Sequence, residues 1–376
     1  MSDLNKPPLR LAIVGPLPPP SGGMANQTRQ LAELLSAEGI GVEIVQVNAP
    51  YWPAWIGKVP AGRALFRFIP YLVKLWRVAG HAQIFHIMAN SGWSWHLFAA
   101  PAVWIAKLRG RRTIINYRGG EAETFFKRSF FWVRPTLTAA DLVVVPSGFL
   151  EAVFKKWNIA TTVIPNIVNL SRFSPAADWK ERDRAQAPHL IVTRNLEPIY
   201  DIATAIRSFA IVLQRFPTAR LSIAGSGPEH EALEALAREL NVHTSVSFTG
   251  RLEVAEMAAL YQSADLVINP TKVDNMPNSL LEALASGVPI VSTDVGGIPY
   301  IVENNKTAVL VPPGNPELMA REVVRVLSDR ALIANLIHNG LALVPSFSWP
   351  NLRELWLSTY NLLQASSRLP ATANSK

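Results

Sequence analysis

Asp274 and Glu282 frame the segment Asp274-Asn275-Met276-Pro277-Asn278-Ser279-Leu-Leu-Glu282. The apolar run Leu266-Val-Ile-Asn-Pro270 precedes it, Val288-Pro-Ile-Val-Ser-Thr293 follows, and Gly296-Gly297 closes the unit. This pattern predicts a strand, a loop with an acid at its mouth, a helix carrying a second acid, a glycine stop and another strand. In an open α/β sheet, ligands bind at the loops that follow the carboxyl ends of strands. Two carboxylates placed there accept hydrogen bonds from two hydroxyls of one ligand, which suits a sugar or a ribose and repels a phosphate. The same spacing also fits a turn acid followed by a Glu on a solvated helix face, and spacing alone leaves both readings open.

Anion-binding features lie elsewhere along the chain. Ser21-Gly22-Gly23-Met24 falls between a predicted strand, Leu9–Gly15, and a predicted helix, and Gly225-Ser-Gly-Pro228 has the same strand–loop–helix setting. Helix starts offer free N–H groups and the positive end of the helix dipole to an anion, although a Gly-Gly pair is equally often only a tight turn. Arg194 ends the predicted strand Leu190–Thr193, and Arg118 follows the predicted strand Thr113–Tyr117. Arg118 could instead pair with Glu121 or Glu123. His86 and His96 flank the loop Ala89-Asn-Ser-Gly92, where either could meet an acceptor or simply sit in the core or on the surface. No His/carboxylate cluster and no D-x-D pair stands in the sequence, so metal independence is expected.

These side chains must be positioned by elements of two kinds. Strand patterns at 9–15, 42–47, 84–88, 113–117, 142–146 and 162–164 alternate with helical spacing at 25–37 and 64–78. A second series starts at His189–Thr193 and continues through Arg220–Ala224, a helix with Leu233, Leu236 and Leu240 on one face, Val246–Thr249 and Glu253 to Ser263. Asn315-Pro316 caps a further helix through Leu327. Strands alternating with helices of this length argue for an α/β chain with a parallel sheet in each half. Residues 1–170 form the first domain, the polar stretch 171–188 reads as a linker, and 189–348 form the second.

The 376 residues contain no cysteine, which excludes disulfides and thiolate metal sites and fits a reducing cytoplasm. No secretory core or run long enough to span a bilayer is present. Charge is unevenly placed: from Tyr51 to Gly120 there is no Asp or Glu against ten Lys and Arg, while the whole chain is only +8. Trp52, Trp55, Phe66, Phe68, Tyr71, Trp76, Trp93, Trp95 and Trp104 fall in the same region. Cations that meet anionic headgroups, mixed with rings that seat at the interface, suit a membrane surface better than nucleic acid. An ordinary basic face is the plain alternative.

The acid-x7-acid segment resembles the signature E-G-F-[GP]-N-x-x-x-E of family 4 of the retaining glycosyltransferases, also called glycosyl transferases group 1. Pro277, Asn278 and Glu282 match it. Asp274 stands for its Glu, Asn275 for Gly and Met276 for Phe. Ala264-Asp265, Glu282-Ala-Leu-Ala-Ser-Gly-Val-Pro289, Gly296-Gly297 and Val163-Ile-Pro-Asn166 also resemble the family.

The resemblance implies the GT-B fold, two Rossmann-like β/α/β domains facing across a cleft, with a last helix (349–365) returning to the first domain. It implies transfer of a sugar from a nucleotide sugar to a hydroxyl, with retention and no enzymatic nucleophile. Asp274 would contact donor-sugar hydroxyls, Glu282 the ribose, Arg194 the leaving diphosphate, and Gly22, Gly23, Gly225 and residues 275–279 the donor. The nucleotide sugar is then a substrate, and no cofactor is expected. The basic aromatic region suggests a polyprenol-linked or other glycan acceptor, as in capsule or exopolysaccharide assembly. It also suggests a cytoplasmic location, peripheral on the inner face of the cytoplasmic membrane.

One departure stands out: the family's Lys six residues after the Arg is Tyr200 here. Losing a group aimed at transition-state charge costs about 10²–10³ in rate, so Arg118 or Lys272 must fill in, or the chain is a weak or inactive partner of another transferase. A hydrolase using both acids, whose carboxyls would stand about 5–5.5 Å apart, is a further alternative. A Rossmann dehydrogenase lacks its G-x-G-x-x-G after the first strand.

Overall fold

The computed structural model describes residues 9–19, 22–50, 63–177, 179, 184 and 186–366. It divides into two units, Met1–Ile167 with Leu352–Lys376, and Val168–Asn351. The first unit contains β1 (Arg10–Gly15), α1 (Gly23–Ala37), β2 (Gly41–Gln46), α2 (Arg63–Val78), β3 (Ile84–Ala89), α3 (Ala100–Leu108), β4 (Arg112–Tyr117), α4 (Ala122–Ala139), β5 (Leu142–Val145), α5 (Gly148–Lys156) and β6 (Thr162–Val163). Its sheet is parallel in the order β2-β1-β3-β4-β5-β6.

The second unit contains β7 (His189–Val192), α6 (Ile202–Arg215), β8 (Arg220–Ala224), α7 (His230–Glu239), β9 (Val246–Gly250), α8 (Val254–Ser263) and β10 (Leu266–Asn269). It continues with α9 (Asn278–Ala285), β11 (Ile290–Thr293), β12 (Val309–Val311), α10 (Pro316–Ser328) and α11 (Arg330–Leu343). Its sheet, β12-β11-β10-β7-β8-β9, is also parallel.

Strand composition follows from burial on both faces. Parallel strands covered by helices on each side read as apolar runs. Because side chains alternate across a sheet, Leu190 and Val192 of β7 enter one hydrophobic cluster and Ile191 the other. The chain runs from β7 outward to β9 and then returns to lay β10 beside β7. The order therefore reverses between β7 and β10, the place where an open α/β sheet leaves a crevice at its carboxyl edge.

The last helix, α12 (Trp349–Ser366), starts in the second unit and continues in the first. Trp356 and Tyr360 are buried against His86 of β3, with the Tyr360 hydroxyl 2.8 Å from His86 Nδ1. Sequence spacing does not show this docking, which depends on a buried imidazole some 270 positions away. The stretch read as a linker belongs, where described, to the second unit: Trp179 packs on its core and Arg184 is buried beside Asp265. Its polar composition hides these two anchors. The periodicity noted above does not mark α3, α4, α5, α6 or α11.

The basic aromatic region is not a single surface. Tyr71 and Trp95 are core residues and Phe68 packs against that core, whereas Phe66, Trp76, Trp93 and Trp104 are exposed. Trp52 and Trp55 lie outside the described residues. No helix among the described residues is long and apolar enough to cross a membrane.

Candidate functional site

Four loops at the carboxyl edge of the second sheet converge because glycine allows their backbones to touch. A Cβ on Gly225, after β8, would stand 1.9 Å from the Arg194 carbonyl oxygen, and one on Gly227 would stand 2.2 Å from that of Leu196. On the other side, a Cβ on Gly297 would fall 1.7 Å from the Asn275 carbonyl oxygen. Gly296, at φ +56, abuts Asp274 in the same way, and the Gly297 N–H donates to the Asp274 carbonyl (2.9 Å). Gly225 thus acts by close backbone packing that leaves no room for a side chain.

This packing brings Arg194 and Asp274 together across the switch point. Arg194 Nη2 donates to Asp274 Oδ2 in an ion pair, and Nη1 donates to Ser279 Oγ (3.3 Å). Asp274 Oδ1 accepts from the Asn275 N–H (2.7 Å). The guanidinium lies over the Tyr200 ring, 4.1 Å from its centroid. Burial holds Arg194 below its ordinary range, and its Nε is buried with no hydrogen-bond partner among the described residues. A buried donor of this kind is costly to leave unmade and is ready for an anionic acceptor.

Glu282 lies one turn beyond Ser279 on α9. Burial raises it from its ordinary 4.5 to about 7, against the downward pull of the Tyr261 hydrogen bond and the Arg194 charge. Its Oε2 accepts from the Tyr261 hydroxyl (3.2 Å). Asn275 and Met276 are buried, Met276 among Leu280 and Ile298, so the Met276 side chain serves the core. Pro277, extended at φ −66 and ψ 122, precedes the first turn of α9, where Asn278 and Ser279 lie.

Lys272 reaches back to Asp201, 3.1 Å away, and its N–H donates to the Ile199 carbonyl (2.8 Å), which staples the loop after β10 to that after β7. Among the described residues there is no group of three or more His, Asp or Glu able to hold a metal.

In the first unit, Gly22 precedes α1 with extended backbone and no side-chain cap, followed by Gly23. A Cβ on Gly22 would meet nothing within 4 Å, so fit does not require glycine there. Arg118 follows β4 and its Nη1 donates to Asn166. The pairing with Glu123 weighed from sequence does not form, because Glu123 pairs with Lys127 (3.3 Å) and Lys156 (3.5 Å). Arg118 Nε is buried without a partner among the described residues, and burial lowers Arg118 to about 10, so it stays charged at neutral pH. His86 is not an acceptor contact: it is fully buried, and burial together with Arg118 pushes it to about 3. His96 remains half-buried, edge-on to Phe125 at 5.9 Å.

The family model Glycosyltransferase Family 4 matches residues 21–172, and the model Glycosyl transferases group 1 matches residues 187–329. The chain belongs to the family 4 glycosyltransferases. An uncharacterized glycosyltransferase of Methanocaldococcus jannaschii is 34% identical over 60% of this chain and 61% of its own. A GDP-mannose-dependent alpha-(1-6)-phosphatidylinositol monomannoside mannosyltransferase of Mycobacterium tuberculosis is 30% identical over 44% of this chain and 46% of its own. Each alignment spans less than two thirds of the relative's length. The Anabaena protein HepE, solved in complex with UDP, superposes with a TM-score of 0.73 at 16% identity, covering 94% of this chain and 100% of that one. The fold is GT-B.

Against the family 4 pattern, Tyr200 supplies a ring under the arginine where a lysine is expected. Tyr261, Thr193, Gly227 and Asp201 also belong to the site, and sequence reasoning missed their roles. For Tyr261 the signal was a hydroxyl on the buried stripe of α8, which helical periodicity counts only as an apolar position.

Proposed function

We propose that this glycosyltransferase-family chain moves a sugar from a nucleoside-diphosphate sugar to a hydroxyl of a lipid-linked glycan, with retention, at an anionic membrane surface. One observation carries the donor side: a buried guanidinium with an unfilled Nε–H lies between two carboxyls at the switch point of a parallel sheet. Arg194 would take the diphosphate, Asp274 the sugar hydroxyls and Glu282 the ribose. The acceptor oxygen bonds to the anomeric carbon as the bond to the diphosphate breaks, and the acceptor proton passes to the departing phosphate oxygen. Fixed donors aimed at that developing charge accelerate the step. The UDP bound by HepE, and the GDP-mannose and phosphatidylinositol monomannoside in the name of the mycobacterial relative, support this class of donor and acceptor.

The membrane side rests on α2, which is apolar on two faces. Tyr71, Leu75 and Val78 are buried, while Phe66, Ile69, Val73 and Trp76 recur along the other side at 44 to 59% exposure. Arg109 lies over the Trp76 ring (4.8 Å), and α4 adds exposed Phe131 and Trp132. With no acid from 51 to 120, anionic headgroups meet cations and rings without repulsion.

The test is a panel of nucleotide sugars with lipid-linked acceptors. We expect transfer with one donor, an axial or equatorial linkage matching that donor, and loss of transfer in Asp274→Asn. Absence of binding by every nucleoside diphosphate, or an inverted linkage, overturns the reading. A second reading, a weakly active partner of another transferase, is favoured by Tyr200 at the lysine position, and transfer by the isolated chain excludes it.

A further inference from the structure

Tyr261 has no place in the donor contacts above, yet its hydroxyl joins three parts of the site. The residue is fully buried on α8, with its ring edge-on to Phe173 at 5.8 Å inside the cluster that holds Ile191, Leu280 and Leu281. Its oxygen lies 2.7 Å from Thr193 Oγ1, 3.1 Å from the Ser279 carbonyl oxygen and 3.2 Å from Glu282 Oε2. A phenol has one proton to give. The carbonyl and the carboxylate are both acceptors, so they share that proton, and the Thr193 hydroxyl donates to the phenol oxygen. Thr193 adjoins Arg194, and Ser279 Oγ accepts from Arg194. One hydroxyl therefore ties together the arginine's strand end, the first turn of α9 and the second carboxyl.

We propose that Tyr261 is a positioning residue that fixes the Glu282 carboxyl for a nucleotide hydroxyl, holding Oε2 so that Oε1 faces the ligand. The inference rests on Glu282 as the ribose contact, and the measurements separate the two claims. Two physical facts support it. A buried hydroxyl retained in an apolar cluster costs free energy unless all its bonds are made, and here three are made. Burial also holds the Tyr261 phenol well above its ordinary range, so it remains a donor across the working pH range. The titratable side chains acting on Glu282 are Tyr261 from α8 and Arg194 from the segment after β7, and both favour its charged form.

Removing the hydroxyl must therefore raise Glu282 further. The sign follows from its raised value: stability from the neutral carboxyl is complete below about 4.5 and is lost as pH rises through about 7. In Tyr261→Phe that loss should move to higher pH.

The experiment measures thermal unfolding of the full chain from pH 4.5 to 9, and UDP and GDP affinity by calorimetry, for wild type, Tyr261→Phe, Glu282→Gln and the double variant. We expect the stability profile of Tyr261→Phe to shift upward by at least half a pH unit, and Glu282→Gln to abolish that profile. Nucleotide affinity of Tyr261→Phe should fall about tenfold near pH 7, equivalent to roughly 1.4 kcal/mol, with no further loss when Glu282→Gln is already present. Thr193→Val, which keeps shape and removes the donor to Tyr261, should move both readouts the same way by less. An unmoved pH profile, or an equal affinity loss with and without Glu282, overturns the positioning role. Wild-type affinity in Glu282→Gln overturns the ribose contact instead and leaves the profile to judge Tyr261.

Discussion

The Arg194–Asp274 pair permits a quantitative test because each partner is assigned a different part of the donor. The two side chains are only 10% and 13% exposed, so removing either leaves an almost buried charge. Breaking a fully buried pair costs 3–5 kcal/mol, and the residual exposure reduces that to about 2–4 kcal/mol here. Arg194→Ala also loses the stacking over Tyr200, which adds about 0.5–1 kcal/mol to its effect. The double variant should be less destabilised than the sum of the singles, with a coupling energy of about 2 kcal/mol.

Denaturant unfolding of the four proteins provides the cycle. A second measurement tests function. Without ligand, Asp274 occupies Arg194 and sets a negative charge beside the place proposed for the diphosphate. Asp274→Asn should therefore bind free UDP or GDP more tightly, by about tenfold or 1.4 kcal/mol, while losing sugar transfer. Additive single effects, or weaker nucleotide binding in Asp274→Asn, would refute the argument that the pair is the latent donor site.

Gly297→Ala, whose Cβ would stand 1.7 Å from the Asn275 carbonyl oxygen, should cost about 1–3 kcal/mol through forced backbone displacement and impair nucleotide binding. Gly22→Ala, with nothing within 4 Å of the new methyl, should change stability by no more than about 0.5 kcal/mol, as thermal unfolding will show. Phe66→Ser should weaken sedimentation with anionic vesicles while changing the melting temperature little, since that side chain is 59% exposed, whereas Trp76→Ser should also cost about 0.5–1 kcal/mol through loss of the Arg109 contact. Wild-type binding should fall at high salt, where charges are screened beyond about 3 Å at 1 M, and equal binding to neutral vesicles would refute the electrostatic part.

Local sequence carried the fold class and the family. Apolar runs such as Leu190–Val192 and Leu266–Ile268 announce buried parallel strands because both their faces need apolar cover, whereas the edge strands β2 and β9 are only partly buried and carry no such run. The acid loop of Asp274 was legible for a related reason: loop, helix start and glycine stop are set by residues next to one another. Strand order was not legible. That β10 returns beside β7, bringing Asp274 to Arg194, depends on packing between segments eighty positions apart. Composition likewise marked residues 51–120 as basic and aromatic but could not say which rings enter the core. Trp95 is buried and Trp93 exposed because both are helical and, two positions apart, they project to opposite sides of the helix. Tyr261 shows the limit most plainly. Its position on α8 follows from helical period, but its hydroxyl gains a purpose only when Thr193, Ser279 and Glu282 arrive from two other elements, because a hydrogen bond is satisfied by distance in space and not by distance along the chain.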